Sequence, residues 1–208
     1  MKPTKLKRSF YNRPTIDVAV DLLGKTLIYE NSGIKLGGRL VELEAYIGED
    51  DPACHACRGK TPRNAIMYGP AGFLYVYFTY GNHYMLNIVT EKEGFPAAVL
   101  IRGLEPIYGV EIMMRNRNTN KPTEIASGPG KLAKALAITT EQKGLDLTRN
   151  KIYVVDDGHS PGDIWHSSRI GIGENGSEKL WRFFIEGNPH VSKMSKQVKE
   201  SAEVYGAD

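Results

Sequence analysis

Residues 64–90 read NAIMYGPAGFLYVYFTYGNHYMLNIVT and hold no Asp, Glu, Lys or Arg. The length of the run invites a membrane-spanning reading, but Gly69, Pro70, Gly72, Gly81, Asn82, His83 and Asn87 make it too polar and too helix-breaking. Residues 73–79 and 84–90 are instead rich in aromatic and β-branched side chains, which favour strands. The segment predicts a β-hairpin turning around Tyr80-Gly81-Asn82-His83, with an aromatic ring at its tip.

Upstream, residues 39–46 alternate Val41, Leu43 and Ala45 with Glu42, Glu44 and Tyr46, the period-two pattern of a strand with one apolar face. Thr15 can cap a helix running to Leu23 and closed by Gly24, with Ile16, Val20 and Leu23 on one face. Downstream, strands are expected at 97–104, 152–156 and 180–185, and helices near 110–115 and 130–138. A polar loop at 116–129 separates the two helices. No repeat and no linker divides the chain. The expectation is an α+β fold: one mixed domain over residues 1–208 with a largely antiparallel sheet, flanking helices and a protruding hairpin, loosely ordered at 1–14 and 193–208.

The 208 residues are 41% hydrophobic and 25% charged, which fits neither a disordered chain nor a membrane protein. A net charge of +3 is too small to identify a nucleic-acid partner by itself. Its distribution is uneven: residues 1–40 hold eight Lys or Arg against three acids, whereas residues 41–55 hold five acids and no Lys or Arg. Two cysteines suit a reducing compartment better than a disulfide-stapled secreted domain. Residues 1–14 lack the apolar core of a signal peptide. A cytoplasmic protein is expected, associated with the nucleoid in a prokaryote.

Glu42, Glu44 and Tyr46 bring two carboxylates and a phenol together on one strand face. Such faces are often merely solvated. Tyr75 and Tyr77, sharing a face of the hairpin's first strand, add aromatic surroundings, although either ring can equally fill the core. A glutamate among aromatic rings is partly desolvated and suited to proton transfer. It can activate water against a glycosidic carbon, whose transition state is positively charged. Tyr80 at the hairpin tip is costly to expose unless something receives it. DNA is one receiver, because a wedged side chain can hold a flipped nucleotide out of the helix. The protein's own surface or a second subunit is another.

Residues 127–132, SGPGKL, offer Ser127, Gly128 and Lys131 at a helix start, with free backbone amides for a phosphate, but without the spacing of a nucleotide-hydrolase loop. Cys54 and Cys57 frame a C-x-x-C pair with no second ligand pair and no surrounding βαβ pattern, so neither a metal site nor a thioredoxin-like redox pair is expected. Lys2, Lys5, Lys7, Arg8, Arg13, Arg115, Arg117, Lys121, Lys131 and Lys134 are candidates for a phosphate-contacting surface if the fold gathers them.

Taken in order, GGRLVELEAYIGEDDPACHA, GKTPRNAIMYGPAGFLYVYFTYGNHYMLNIVT, AAVLIRGLEP and SGPGKLAKAL resemble the alkyladenine, or 3-methyladenine, DNA glycosylase family over residues 15–192. The resemblance implies a single domain around a curved antiparallel sheet with a projecting hairpin. It also implies a cofactor-free, monomeric enzyme that flips a damaged purine from double-stranded DNA and hydrolyses its N-glycosidic bond. The purines implied are 3-methyladenine, 7-methylguanine, hypoxanthine and ethenoadenine. By motif, Glu44 resembles the general base, and Arg102 the residue that helps hold the water and the adjacent phosphate. Tyr46, His55 and Tyr77 resemble the walls of the base pocket. Asn87 resembles the residue that discourages the 2-amino group of guanine, Tyr80 the plug in the vacated stack, and Ile170 of RIGIG a backbone contact to the water. The chain departs from the family at Asn82, where members often carry Met. Two rivals to a base-excising enzyme remain at this stage: a non-catalytic binder of distorted DNA, and a hydrolase of free nucleosides.

Overall fold

The computed structural model describes residues 3–79, 81–174 and 176–206. In chain order its regular elements are β1 (Thr4–Lys5), α1 (Arg8–Tyr11), α2 (Thr15–Leu22), β2 (Thr26–Asn31), β3 (Ile34–Ile47), β4 (Leu74–Thr79), β5 (His83–Val89) and β6 (Ala97–Tyr108). These are followed by α3 (Val110–Arg117), α4 (Pro129–Ala135), β7 (Ile152–Asp156), β8 (Ile164–Ser167), β9 (Arg182–Ile185), α5 (Lys196–Glu200) and β10 (Glu203–Val204). All ten strands belong to one sheet, whose main path runs β1-β7-β2-β3-β6-β5-β4. The neighbouring strands pair antiparallel throughout. The first half of β3 pairs β2 and its second half pairs β9, which leads on to β8 and β10. The fold is a mixed α+β domain, as the alternation of patterns predicts.

One face of the sheet carries the core. Val41, Leu43 and Ala45 of β3 are fully buried with Val99 and Ile101 of β6, Val18, Ala19 and Leu22 of α2, and Leu132, Ala133 and Ala135 of α4. Burying a side chain such as Leu132 stabilises the fold by about 2 kcal/mol, so the sheet and its two helices hold each other. The opposite face of β3 carries Glu42 and Glu44, which are also wholly buried. A smaller apolar cluster of Cys54, Ala56, Met67, Tyr75, Val89 and Ala98 lies under the 51–68 segment.

Two local expectations differ from the structure, and three strands were not anticipated. Thr15 is not a cap: α2 begins at Thr15 itself, and its amide and hydroxyl donate to the Glu91 carboxylate at 2.7 and 2.9 Å. Glu91, in left-handed backbone at φ 64°, puts an anion at the helix's positive end and replaces a local cap. Residues 4–11 are tied down rather than loose, because β1 pairs β7 and the Tyr11 ring is fully buried. The C-terminal segment likewise adds β10 to β8. Finally, β2, β8 and β10 lack a clean period-two signal; each is specified by its neighbours in the sheet.

The hairpin of β4 and β5 keeps register from Leu74 opposite Ile88 to Thr79 opposite His83. Tyr80, the expected plug, lies outside the described residues, as does Lys2.

Candidate active site

Position in the sheet explains how the site is assembled. Across four strands, Glu44 stands opposite Leu100, Leu100 opposite Asn87, and Asn87 opposite Tyr75. Directly opposed residues point to one face, so this row belongs to a single surface. Two of the three register shifts between β3 and β6 flank Glu42: Leu40 opposes Leu104, Glu42 opposes Gly103 and Leu43 opposes Ile101. Arg102 is therefore the extra residue of a β-bulge, a device that re-aims a side chain. Two residues on from Leu100, Arg102 keeps to the carboxylate face, and the bulge turns Gly103 to the same side. Gly103 permits this, because a Cβ there would meet Glu42 Cβ at 2.9 Å and the His190 carbonyl at 3.1 Å.

Glu44 accepts the Ile170 amide on Oε1 at 2.7 Å, and the Tyr46 hydroxyl at 2.8 Å and Arg102 Nη1 at 3.3 Å on Oε2. A carboxylate offers about four acceptor positions, so Oε1 keeps one to spare. Burial first and the Glu44 charge second push the Tyr46 phenol well above its ordinary range, keeping it a donor. Burial opposes the charge of Arg102, but Glu44 and Glu42 outweigh it and keep the guanidinium ionised.

The neighbouring carboxylate is committed differently. Glu42 Oε1 accepts from Arg102 Nε at 2.9 Å, Arg182 Nε at 2.8 Å and the Ser192 hydroxyl at 2.8 Å, and Oε2 accepts the Ser192 amide at 2.7 Å. Burial raises its pKa, but the Arg102 and Arg182 charges and the Ser192 amide outweigh that and hold it at about 2. Its folded value thus lies below the ordinary 4.5. The stability it contributes, on the order of 3 kcal/mol, is present above pH about 4.5 and is lost as pH falls toward about 2. In melting experiments from pH 7 to pH 2, Glu42→Gln is expected to start less stable than wild type, with the gap closing between pH about 4.5 and about 2. A gap that stays constant would contradict this.

A cavity of ≈ 370 Å³ opens on this face, lined among others by Tyr46, His55, Tyr75, Tyr77, Asn87, Arg102 and Ile170. That volume suits a small planar ligand. Glu44 stands just behind the wall that its own partners form. Tyr46, two residues along the same strand, binds it directly through its hydroxyl. Tyr75 and Tyr77 belong to β4, and β6 and β5 intervene, a backbone separation of about 14 Å at ordinary strand spacing. The tyrosine pair forms the far wall, with ring centroids 5.2 Å apart. His55 Nδ1 meets the Tyr75 hydroxyl at 2.8 Å, and its ring sits edge-on to Tyr77 at 4.5 Å. Desolvation, then the charge of Arg63, holds His55 below the usual imidazole range, so it faces the cavity neutral at pH 7. Asn87 Nδ2 donates to the Tyr75 carbonyl at 3.0 Å, which fixes the amide's orientation.

The sequence reading did not include the pair that braces the near wall. Arg169 and Asp51, both wholly buried in their side chains, form a two-pronged ion pair at 2.6 and 2.8 Å. The Arg169 guanidinium lies 4.8 Å from the Tyr46 ring centroid, and its Nη1 donates to the Ala45 carbonyl. It thereby fixes Tyr46 and the adjacent Ile170 amide together. The two partners are 118 residues apart, and no local pattern links them. Arg182 did leave a signal: it is the one charge in the strand RFFI.

The phosphate-loop expectation needs revision. The Gly128 amide is not free but donates to the Arg102 carbonyl at 2.9 Å, and Ser127 bridges to Gly103. The loop anchors the bulge. Lys131 is exposed, and with Arg117, Lys134 and His83 it borders a groove of ≈ 540 Å³ that shares Met85 and Pro129 with the cavity. Lys5, Lys7 and Arg13 line a different groove, Arg8 pairs with Asp146, and Lys121 pairs with Glu124. Only part of the basic set therefore adjoins the cavity. Cys54 is buried and Cys57 exposed. Among the described residues no group of three or more His, Cys, Asp or Glu side chains is arranged to hold a metal ion, and no helix is long and apolar enough to cross a membrane.

The methylpurine-DNA glycosylase family model matches residues 9–189. A protein of Methanocella arvoryzae, provisionally named a 3-methyladenine DNA glycosylase, is 50% identical over 191 residues, covering 90% of this chain and 96% of its own. Proteins given the same provisional name in Prosthecochloris aestuarii and Clostridium acetobutylicum are 46% and 42% identical. They cover 90% and 92% of this chain and 91% and 99% of their own. The chain belongs to the methylpurine-DNA glycosylase family and is a DNA glycosylase. DNA is accordingly its substrate.

Proposed function

We propose that this enzyme flips an alkylated or deaminated purine out of duplex DNA into the cavity and hydrolyses its N-glycosidic bond with a water activated by Glu44. 3-Methyladenine is the foremost substrate; 7-methylguanine, hypoxanthine and ethenoadenine are further ones. The observation that carries this reading is the Glu44 carboxylate, wholly buried beside an aromatic cavity, with three donors bound and one acceptor position open.

The base lies between the Tyr46 wall and the wall of Tyr75, Tyr77 and His55. A cationic lesion gains about 0.5 to 2 kcal/mol on the aromatic faces, roughly 2-fold to 30-fold. The rest of the selectivity comes from the leaving group, already activated when cationic, and from the cheaper unstacking of damaged pairs. As the C1′–N9 bond breaks, its electron pair leaves with the purine. The water oxygen bonds to C1′ and its proton passes to Glu44, whose charge also stabilises the oxocarbenium-like transition state. Arg102 and the Ile170 backbone hold the water and the adjacent phosphate. Asn87, pinned by the Tyr75 carbonyl, crowds the 2-amino group of a normal guanine. Ser127, Gly128 and Lys131 approach the DNA backbone. Tyr80 fills the vacated stack, and the protein acts as a monomer in the cytoplasm.

The test is excision from duplexes that each hold one defined lesion, scored as alkali-labile sites. Release from lesion duplexes and not from undamaged DNA or free nucleosides supports the reading. Tight binding with no product on any lesion, or equal activity on free nucleosides, overturns it. Tyr80→Ala is expected to slow excision from duplex far more than from an unpaired lesion in single-stranded DNA.

A further inference from the structure

Arg102 lines the cavity and is shared between two buried carboxylates that stand behind its wall. Glu42 holds Arg102 by Nε while Glu44 takes Nη1, so one planar guanidinium bridges the two acids. Glu42 is fixed from every side: by Arg102 of β6, by Arg182 of β9, and by the amide and hydroxyl of Ser192 in the segment after β9. Arg182 is wholly buried and in turn donates to Ser167 Oγ at 3.0 Å. Around Glu44 the charged and titratable groups are Arg102, Tyr46 and, across the Tyr46 ring, Arg169 with Asp51. With two acids and two guanidiniums, the cluster is neutral only while Glu42 keeps its charge.

Resting on Glu44 as the base, we infer that Glu42 is a positioning residue: it divides the Arg102 guanidinium between two carboxylates, leaving Glu44 free enough to accept a proton. Without the Glu42 charge, Arg102 turns wholly to Glu44. Its hold on Glu44 then tightens, and the site gains a positive charge opposed to the cationic transition state. The low pKa of Glu42 keeps it ionised at every working pH.

The experiment is single-turnover excision from a lesion duplex across pH, at saturating enzyme, for wild type, Glu42→Gln, Glu44→Gln, and the double variant Glu42→Gln with Arg182→Met. The double variant removes the buried ion pair as a unit, so it folds even if Glu42→Gln, which strands Arg182, does not. Glu42→Gln is expected to slow excision roughly tenfold or more, the double variant, whose cluster stays neutral, by less, and both to move the acid limb of the pH–rate profile to lower pH as Arg102 turns to Glu44. Half-saturation by DNA stays unchanged. A wild-type rate, or a slower rate with an unmoved acid limb, overturns the inference, because a purely structural role lowers the amplitude without shifting the limb. If Glu44→Gln excises normally, it is the reading of Glu44 as base that fails. If Glu44→Gln is inactive while the Glu42 variants match wild type, only the role of Glu42 fails.

Discussion

Glu44→Gln is expected to lower the single-turnover rate of excision by about 10³-fold or more while duplex binding stays within a few-fold. The geometry makes the amide a poor substitute. Oε1 accepts from the Ile170 amide and Oε2 from both Tyr46 and Arg102. A glutamine has one acceptor oxygen, so its NH₂ must face a donor on one side or the other, and it has neither the charge nor the basicity to take a proton from water. Its size is unchanged, so the cavity that receives the base is preserved. Gel-shift and excision assays on one lesion duplex separate the two effects. Turnover within tenfold of wild type would remove Glu44 from the chemistry.

Asp51→Asn is expected to cost about 3 to 5 kcal/mol of stability, because it leaves the Arg169 guanidinium buried without its counter-charge. For a domain of this size that is a fall in Tm of roughly 6 to 20 °C. Arg169 already has one buried nitrogen, Nε, without a hydrogen-bond partner, which leaves the pair little tolerance. The same substitution loosens Tyr46 and the Ile170 amide, so excision per folded molecule is expected to fall as well, measured well below the new Tm. A melting temperature equal to wild type would show that the pair does not carry the near wall.

The sequence made the hairpin, the β3 alternation and the Glu44 and Tyr46 face legible because each is a local pattern: period two, β-branched content, turn residues. The 152–156 strand coincides with β7 for the same reason. What it did not yield is set by pairing over long separations. The bulge that sets Arg102 and Gly103 side by side against Glu42 depends on β3 and β6 together. The Glu42, Arg182 and Ser192 cluster joins positions up to 150 residues apart. Neither leaves a periodic trace. The Gly128 amide looked free because its partner, the Arg102 carbonyl, belongs to a distant strand. The separation of Tyr75 from Glu44 follows from strand order, and hydrophobic patterning carries no information on order.

The most direct measurement on the water-activating carboxylate is chemical rescue of Glu44→Ala by formate. The substitution leaves a small buried gap facing three donors, the Ile170 amide, the Tyr46 hydroxyl and the Arg102 guanidinium, a setting that binds a small carboxylate. If Glu44 takes the proton, Glu44→Ala should release no base from a lesion duplex in buffer, and added formate should restore measurable release that saturates with its concentration. Release by Glu44→Ala at the wild-type rate in the absence of formate would contradict it.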